Sequence, residues 1–478
     1  MKIAVIGAGP AGMTAAYKLS SAIADGRVSR LDVYEAGEQV GGMAKSMQLW
    51  DQLVDMGPHR FFSQDRKVNE LWLEVAGRDY KMVNRQTRIY YKGKFFDYPL
   101  KAGNALKSLG FFEAALCMLS YFREKILPTR DTGTFESWVT RRFGKRLYQI
   151  FFKTYSEKLW GIKCTELDSD FAAQRIKRLS LYEAVMNSLT RKNKTLHKTL
   201  VDQFAYPTGG TGSLYEKMAD AVRRNGGSIL LETPVEKVLN RESHAWGLEL
   251  SSGKVIEYDH IISSMPISLL VTRLPQVPDD IRERALGLRF RNTILVYLRV
   301  AGKDLFPDQW LYIHASELRM GRMTNFRNWI PELYGQQEES ILCLEYWSNF
   351  EDPEWKKDDD WYIELARNEL ASTGLAAREA ILEGKVVRIP RSYPVYFSRY
   401  KEVLQPVQHY LDSIGNLHAI GRYGSYKYNN QDHSIYMGLL AAENILEGTS
   451  HDLWEINTDY DTYQEASVIN ETGLVETS

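Results

Sequence analysis

Apolar positions near the start of the chain come in a block rather than in alternation. Ile3-Ala4-Val5-Ile6 is a continuous apolar run, the pattern of a strand buried on both faces. Met13 to Ser20 follows with the spacing of an amphipathic helix, and Arg30 to Tyr34 reads as a second short strand. Strand, helix, strand predicts a parallel α/β unit. The pattern returns after residue 205. Tyr215 to Arg224 is an amphipathic helix, followed by short strand signals at Ser228–Leu231 and Pro234–Val238. Trp246–Leu250 and Lys254–Glu257 flank Ser251-Ser252-Gly253 as a hairpin, and His260–Ser264 and Asn416–Ile420 add further strands. A last helix, from about Ser434 to Leu446, carries Gly438, Leu439, Ala442 and Ile445 on one stripe.

Two insertions separate these pieces. Residues 66–204 read as mainly helical, and their most apolar stretch, Leu106 to Leu127, contains Lys107, Glu113, Arg123, Glu124 and Lys125. Those charges suit a core helix better than a membrane span. Residues 271–385 alternate like an antiparallel sheet, with strands at Thr293–Val300, Trp310–His314 and Ser340–Tyr346. The expected organisation is a dinucleotide-binding domain assembled from residues 1–65, 205–270 and 386–450. A helical insertion fills 66–204, a substrate domain 271–385, and a loosely held polar tail 451–478.

Composition narrows the picture only slightly. A length of 478 residues suggests roughly two to three domains. A net charge of −1 gives no electrostatic case for nucleic acid or an anionic membrane. Cys117, Cys164 and Cys343 lie far apart and in no metal-binding spacing, which predicts buried reduced thiols rather than disulfides or zinc. With no apolar leader beyond the first strand, the expected compartment is the cytoplasm. The 28 tyrosines and 11 tryptophans suit stacking on sugars or bases, and suit a large core equally well.

The chemistry begins between the first strand and helix, where Gly7-Ala8-Gly9-Pro10-Ala11-Gly12 forms a GxGxxG turn. Such a turn lets a pyrophosphate approach the amides of a helix N-terminus. Glu35, at the end of the second strand, is placed to accept hydrogen bonds from a ribose. Pro10 is compatible, because an amide in the first helical turn has no intrahelical partner. Gly41-Gly42, soon after the acid, resembles the flavoprotein pattern and points to FAD rather than NAD. The expected cofactor contacts are Gly7, Gly9, Ala11, Gly12, Glu35, Gly41, Gly42 and Met43.

Several strings go further: Gly57-Pro58-His59-Arg60-Phe61-Phe62, Lys158-Leu159-Trp160-Gly161, Gln174-Arg175, Tyr206-Pro207-Thr208-Gly209-Gly210, Gly321-Arg322 and Tyr393-Pro394. Gly421-Arg422-Tyr423-Gly424 then runs on to Tyr428-Asn429-Asn430-Gln431-Asp432-His433-Ser434. Over residues 1–448 the chain resembles the UDP-galactopyranose mutases, closer to their eukaryotic-type branch. These belong to the superfamily of protoporphyrinogen oxidase and the monoamine oxidases. The resemblance implies ring interconversion of a nucleotide sugar without net redox. Reduced flavin N5 attacks the anomeric carbon, a nucleoside diphosphate leaves, and the opened sugar recloses through another hydroxyl. An external reductant, NAD(P)H or a reductase, would supply the reduced flavin.

By match, Arg175 and Arg322 are the diphosphate-binding arginines, with Tyr393 and Tyr428 as hydroxyl donors. His59 matches the histidine on the loop beside the flavin, and Arg422 the arginine that lies against the ring. The resemblance also implies cofactor contacts from Val235, Gly421, Gln431, Asp432 and Ser434, although Asp432 has a competing role as a helix cap. Trp160, Phe62 and Tyr98 match aromatics at the nucleotide site, where core packing would use the same side chains.

Three features depart from the mutase pattern. Gly57-Pro58-His59 replaces Gly-Gly-His, and proline restricts a loop flip. Lys101 and Ser156 stand where the mutases carry amides that read a base edge, and the segment between Tyr428 and Asn430 is shorter. The substrate's base and sugar therefore stay open. So do two other readings, an oxidoreductase of the amine oxidase type and an FAD protein without turnover.

Overall fold

The computed structural model describes residues 1–98, 104, 108–176, 203–456 and 467–476. The apolar run at the start is the centre of a five-stranded parallel sheet. Lys2–Ile6 pairs with Arg30–Tyr34 on one side and His260–Ser263 on the other. Ser228–Leu230 and Leu417–Ala419 form the two edges. Three segments far apart in sequence thus meet in one sheet. The helix Pro10–Ser20 packs against both Gly212–Arg224 and Gln431–Glu447. Gly438 is what lets the last of these cross so closely: a Cβ there would lie 2.4 Å from the Ala11 carbonyl oxygen. The hairpin read around Ser251-Ser252-Gly253 joins His244–Leu250 to Val255–Glu257, and with Val235–Arg241 makes a small three-stranded sheet.

The second layer is a seven-stranded sheet. Its order runs Ile381–Pro394, Phe290–Val300, Ser340–Ser348, Arg322–Asn325, Trp310–Ile313, Thr87–Tyr91, Lys94–Asp97. All pairs are antiparallel except Trp310–Ile313 with Thr87–Tyr91. Ile381–Pro394 crosses the boundary expected at 385 and carries Tyr393 toward the parallel sheet's neighbourhood.

Two sequence expectations, on an apolar helix and on the tail, need correction. Segment 66–204 is mainly helical in its described residues but also holds short strands. Thr87–Tyr91 and Lys94–Asp97 form a hairpin whose two turn residues, Lys92 and Gly93, have φ of 50° and 70°, the signature of a tight primed turn. Tyr80–Asn84 also pairs with Gln203–Pro207. The strands are four or five residues long, too short to stand out beside helices.

The apolar helix Phe111–Ile126 is not a core helix. It buries only Ala114, Cys117 and Glu124, while Phe111, Phe112 and Ile126 are 92%, 77% and 78% exposed. Its apolar content is high, but its buried face is narrow.

The tail is not loose throughout, since Ser467–Asn470 and Gly473–Glu476 form a hairpin. Asn69 Nδ2 donates to the Ser467 carbonyl at 3.0 Å, Tyr80 donates to the Asn470 carbonyl at 2.8 Å, and Val468 and Ile469 are buried.

The three cysteines are unpaired and buried. Among the described residues no helix is long and apolar enough to cross a membrane, and no cluster of His, Cys, Asp or Glu has metal-binding geometry.

Candidate active site

A cavity of about 1120 Å³ begins at the carboxyl ends of the parallel strands and continues to the face of the seven-stranded sheet. At one end its wall is main chain: Gly7, Gly9, Ala11 and Gly42-Met43, with Glu35 and Val235 beside them. Gly12 and Gly41 stand one layer behind. A Cβ at Gly12 would lie 1.9 Å from the Gly7 carbonyl oxygen, and one at Gly42 3.0 Å from the Gly9 Cα. No side chain caps the helix that starts at Pro10. Its first amide donors are therefore available to an anion. Glu35 is already held, with Oε2 accepting from the Ala8 N–H and Oε1 from the Gly37 N–H, each at 2.8 Å. A carboxylate has about four acceptor sites, so a ribose can still be bound there. This end fits a dinucleotide.

The last helix supplies the wall between the two ends. Gln431, Asp432 and Ser434 all reach the cavity. Asn430, not Asp432, is the cap, and His433 Nδ1 accepts its backbone N–H at 3.2 Å. Asp432 instead sits in the first turn, facing the cavity.

At the other end the wall is side chains. Gly421, with φ of 78°, turns the chain so that Arg422 enters the cavity. Arg422 Nε and Nη2 donate to the Asn429 carbonyl at 2.8 and 2.6 Å. Its guanidinium lies 5.2 Å from the Tyr393 ring and 5.1 Å from the Tyr428 ring, which stack on each other at 5.5 Å.

Arg322 grips Glu345 with two bonds of 2.5 Å, and its Nη2 is 3.4 Å from the Tyr393 hydroxyl. Burial is the largest influence and works against the Arg322 charge, yet Glu345, Tyr393 and Tyr155 together outweigh it and raise the Arg322 pKa well above the usual value. Glu345 is almost fully buried behind it.

His59 stands at the junction. Burial first, then the positive charges of Arg422 and Arg322, push its pKa down to about 3, so the imidazole is neutral. Its Nδ1 is buried without a hydrogen-bond partner. The glycine turn after Tyr206-Pro207 holds this loop: the Thr211 hydroxyl donates to the His59 carbonyl at 2.8 Å. The same turn is pinned through Asp55, which accepts from Ser46 Oγ at 2.5 Å, Tyr206 Oη at 2.7 Å and the Thr211 N–H at 3.2 Å. Burial raises the Asp55 pKa to about 6.

Other residues singled out from the sequence fall elsewhere. Phe62 reaches the cavity wall. Trp160 does not. It is 1% exposed and packs edge-on behind Tyr393 and Tyr428, because the helix Thr154–Trp160 turns it into the aromatic core. Ser156, on the same helix, is buried and also off the wall. Tyr98 is 38% exposed and off the cavity wall, packing on the ring of Tyr312, a wall residue, at 4.9 Å. Arg175 belongs to the helix Ser169–Ile176, but its side chain lies outside the described residues, as does all of Lys101.

The sequence reading missed Glu345, Asp55, Arg60 and Tyr312. Glu345 left one trace, as the single acid in the otherwise uncharged run Ser340–Ser348.

The parallel sheet and its glycine cradle define a dinucleotide-binding protein. The family described as flavin containing amine oxidoreductase matches residues 10–446, and the chain belongs to it. It is a flavin enzyme of the amine oxidase superfamily.

Within that group, the crystal structure of a reduced UDP-galactopyranose mutase superposes with a TM-score of 0.84 at 22% identity, covering 96% of each chain. A protein from Exiguobacterium sp. 255-15, assigned as a protoporphyrinogen oxidase, gives 0.72 at 16% identity, over 94% of this chain and 99% of that one. A Klebsiella pneumoniae protein recorded as a probable UDP-galactopyranose mutase is 28% identical over 189 residues, 37% of this chain. That match spans only 44% of the relative's own length.

Proposed function

We propose that the protein is a nucleotide-sugar mutase of the UDP-galactopyranose mutase kind, interconverting pyranose and furanose rings of a sugar linked to a nucleoside diphosphate. The observation that carries this reading is the far wall of the cavity, where Arg322, Arg422, Tyr393 and Tyr428 converge beyond the dinucleotide cradle. An amine substrate gains nothing from the Arg422 charge, which is held by a carbonyl rather than a carboxylate, whereas a departing diphosphate is stabilised by it.

In this reading Gly7, Gly9, Ala11, Glu35, Gly42, Met43 and Val235 hold FAD, with Gly421, Gln431, Asp432 and Ser434 near its ring system. Gly12 and Gly41 shape the cradle from behind. When bound and reduced by NAD(P)H or a reductase, the flavin supplies a nucleophilic nitrogen. The chain's own residues do the rest. Arg422, locked onto the Asn429 carbonyl, keeps a fixed positive charge that favours the electron-rich ring. Neutral His59 can make a hydrogen bond at Nδ1 without adding charge there. Arg322 orients the Tyr393 hydroxyl, and Tyr393 and Tyr428 meet the diphosphate oxygens. Phe62 and Tyr312 are the aromatic faces available to the base.

One observation favours the alternative, a flavin oxidoreductase: Glu345 already neutralises Arg322. An anaerobic assay separates the two. Dithionite-reduced protein is incubated with a panel of nucleotide sugars, and the products are resolved by chromatography. The mutase reading expects a new isomer with no acceptor consumed. Stoichiometric consumption of oxygen or another oxidant, with no isomer formed, sinks it.

A further inference from the structure

Arg60 follows His59 on the same loop and reaches the cavity, yet the reading above gives it no task. Its surroundings are unusual for a guanidinium. Nη1 is shut off from solvent and has no hydrogen-bond partner. None of the other arginines on the wall, Arg142, Arg273, Arg322 or Arg422, has a nitrogen in that condition. The ring of Phe62, 5.8 Å from the guanidinium carbon, is a weak partner for a cation. Burial opposes the Arg60 charge, and Arg85, a like charge, opposes it more than Asp432 supports it. A half-buried cation with a buried, unused nitrogen is costly to keep. An anion entering the cavity would remove that cost.

The other two guanidiniums near the loop are already engaged: Arg322 grips Glu345, and Arg422 donates to the Asn429 carbonyl. Arg60 shares their wall with one nitrogen unused.

We propose that Arg60 is a second anion-binding residue of the substrate site, taking oxygens of a phosphate or carboxylate group that Arg322 does not hold. The proposal rests on the nucleotide-sugar reading. The group is either part of the diphosphate itself or a carboxylate on the sugar, as in a nucleotide-linked uronic acid. Planar, bidentate recognition by arginine suits both.

Titration of the reduced, flavin-loaded protein tests this. The probes are uridine, UDP, GDP, dTDP, UDP-glucose and UDP-glucuronic acid, followed by calorimetry on wild type, Arg60→Gln and Arg60→Lys. Flavin absorbance checks that each variant is folded. Charge-assisted bonds of this kind predict a loss of about thirtyfold in Arg60→Gln. Arg60→Lys should recover part of the affinity, and uridine should bind all three proteins alike.

Weakening of every diphosphate places the phosphate at Arg60; weakening of UDP-glucuronic acid alone places the sugar carboxylate there. If wild type binds diphosphates and Arg60→Gln binds every probe within about threefold of it, the Arg60 assignment is wrong and the mutase reading stands. If wild type binds none of the phosphorylated probes, both fall.

Discussion

At the glycine end of the cavity the wall is main chain from the first 44 residues, closed by Val235; at the tyrosine end it is side chains from stretches far apart in sequence. The first end tolerates almost no added atoms, because helix, turn and neighbouring loop already touch. The second end is held by charge. Arg322 and Glu345 are opposite each other in register on adjacent strands, and Arg422 is fixed by a carbonyl and two tyrosine rings. The difference bears on function. A backbone cradle recognises a cofactor shared by a whole superfamily, whereas charged side chains can be exchanged to suit a new substrate. The two ends should therefore fail in different ways.

The largest effect is expected at the cradle. Gly12→Val places a branched side chain where even a Cβ would meet the Gly7 carbonyl at 1.9 Å. Neither backbone can retreat, because Gly7 donates to the Tyr34 carbonyl at 2.7 Å and so is tied to the sheet. The purified variant should contain essentially no flavin, measured as the ratio of visible to protein absorbance. A fully yellow Gly12→Val would show that the cradle does not hold the cofactor.

A smaller effect, of a different kind, is expected at the charged end. Glu345→Gln leaves Arg322 buried without its counter-charge, a change that typically costs about 3 kcal/mol or more. The urea midpoint should fall accordingly, while the flavin ratio of the surviving folded protein stays near that of wild type. Loss of flavin in step with stability would erase the distinction between the two ends.

The same contrast explains what could be read from the sequence. The cradle is contiguous: strand, GxGxxG, helix and acid occupy residues 2–35, and their spacing alone implies their geometry. Arg322 and Glu345 are 23 positions apart and meet only because Arg322–Asn325 and Ser340–Ser348 pair in one register. A slip of one residue would turn the two side chains to opposite faces. No local pattern encodes that register.

Trp160 shows the opposite problem. Its motif was visible, but an aromatic residue serves a base or a core equally well, and the helix Thr154–Trp160 turns it into the core. Phe111–Ile126 was misjudged because apolar content says how much surface could be buried, not which side faces the protein.

The finest test of the charged end is Tyr393→Phe. The Tyr393 hydroxyl lies 3.4 Å from Arg322 Nη2, at the outer limit of a hydrogen bond, so the protein itself gains little from it. Its ring, however, packs on Tyr428 at 5.5 Å and on the Arg422 guanidinium at 5.2 Å. Removing the hydroxyl should therefore leave stability and flavin content unchanged, since ring stacking and burial persist. What disappears is one oriented donor, worth about 1 kcal/mol when its partner is an external ligand. Affinity for a nucleoside diphosphate should fall about fivefold, read by the same calorimetry, with uridine unaffected. If Tyr393→Phe instead destabilised the fold without touching diphosphate affinity, the hydroxyl would be a structural brace for Arg322, and the tyrosine end would hold itself together rather than a ligand.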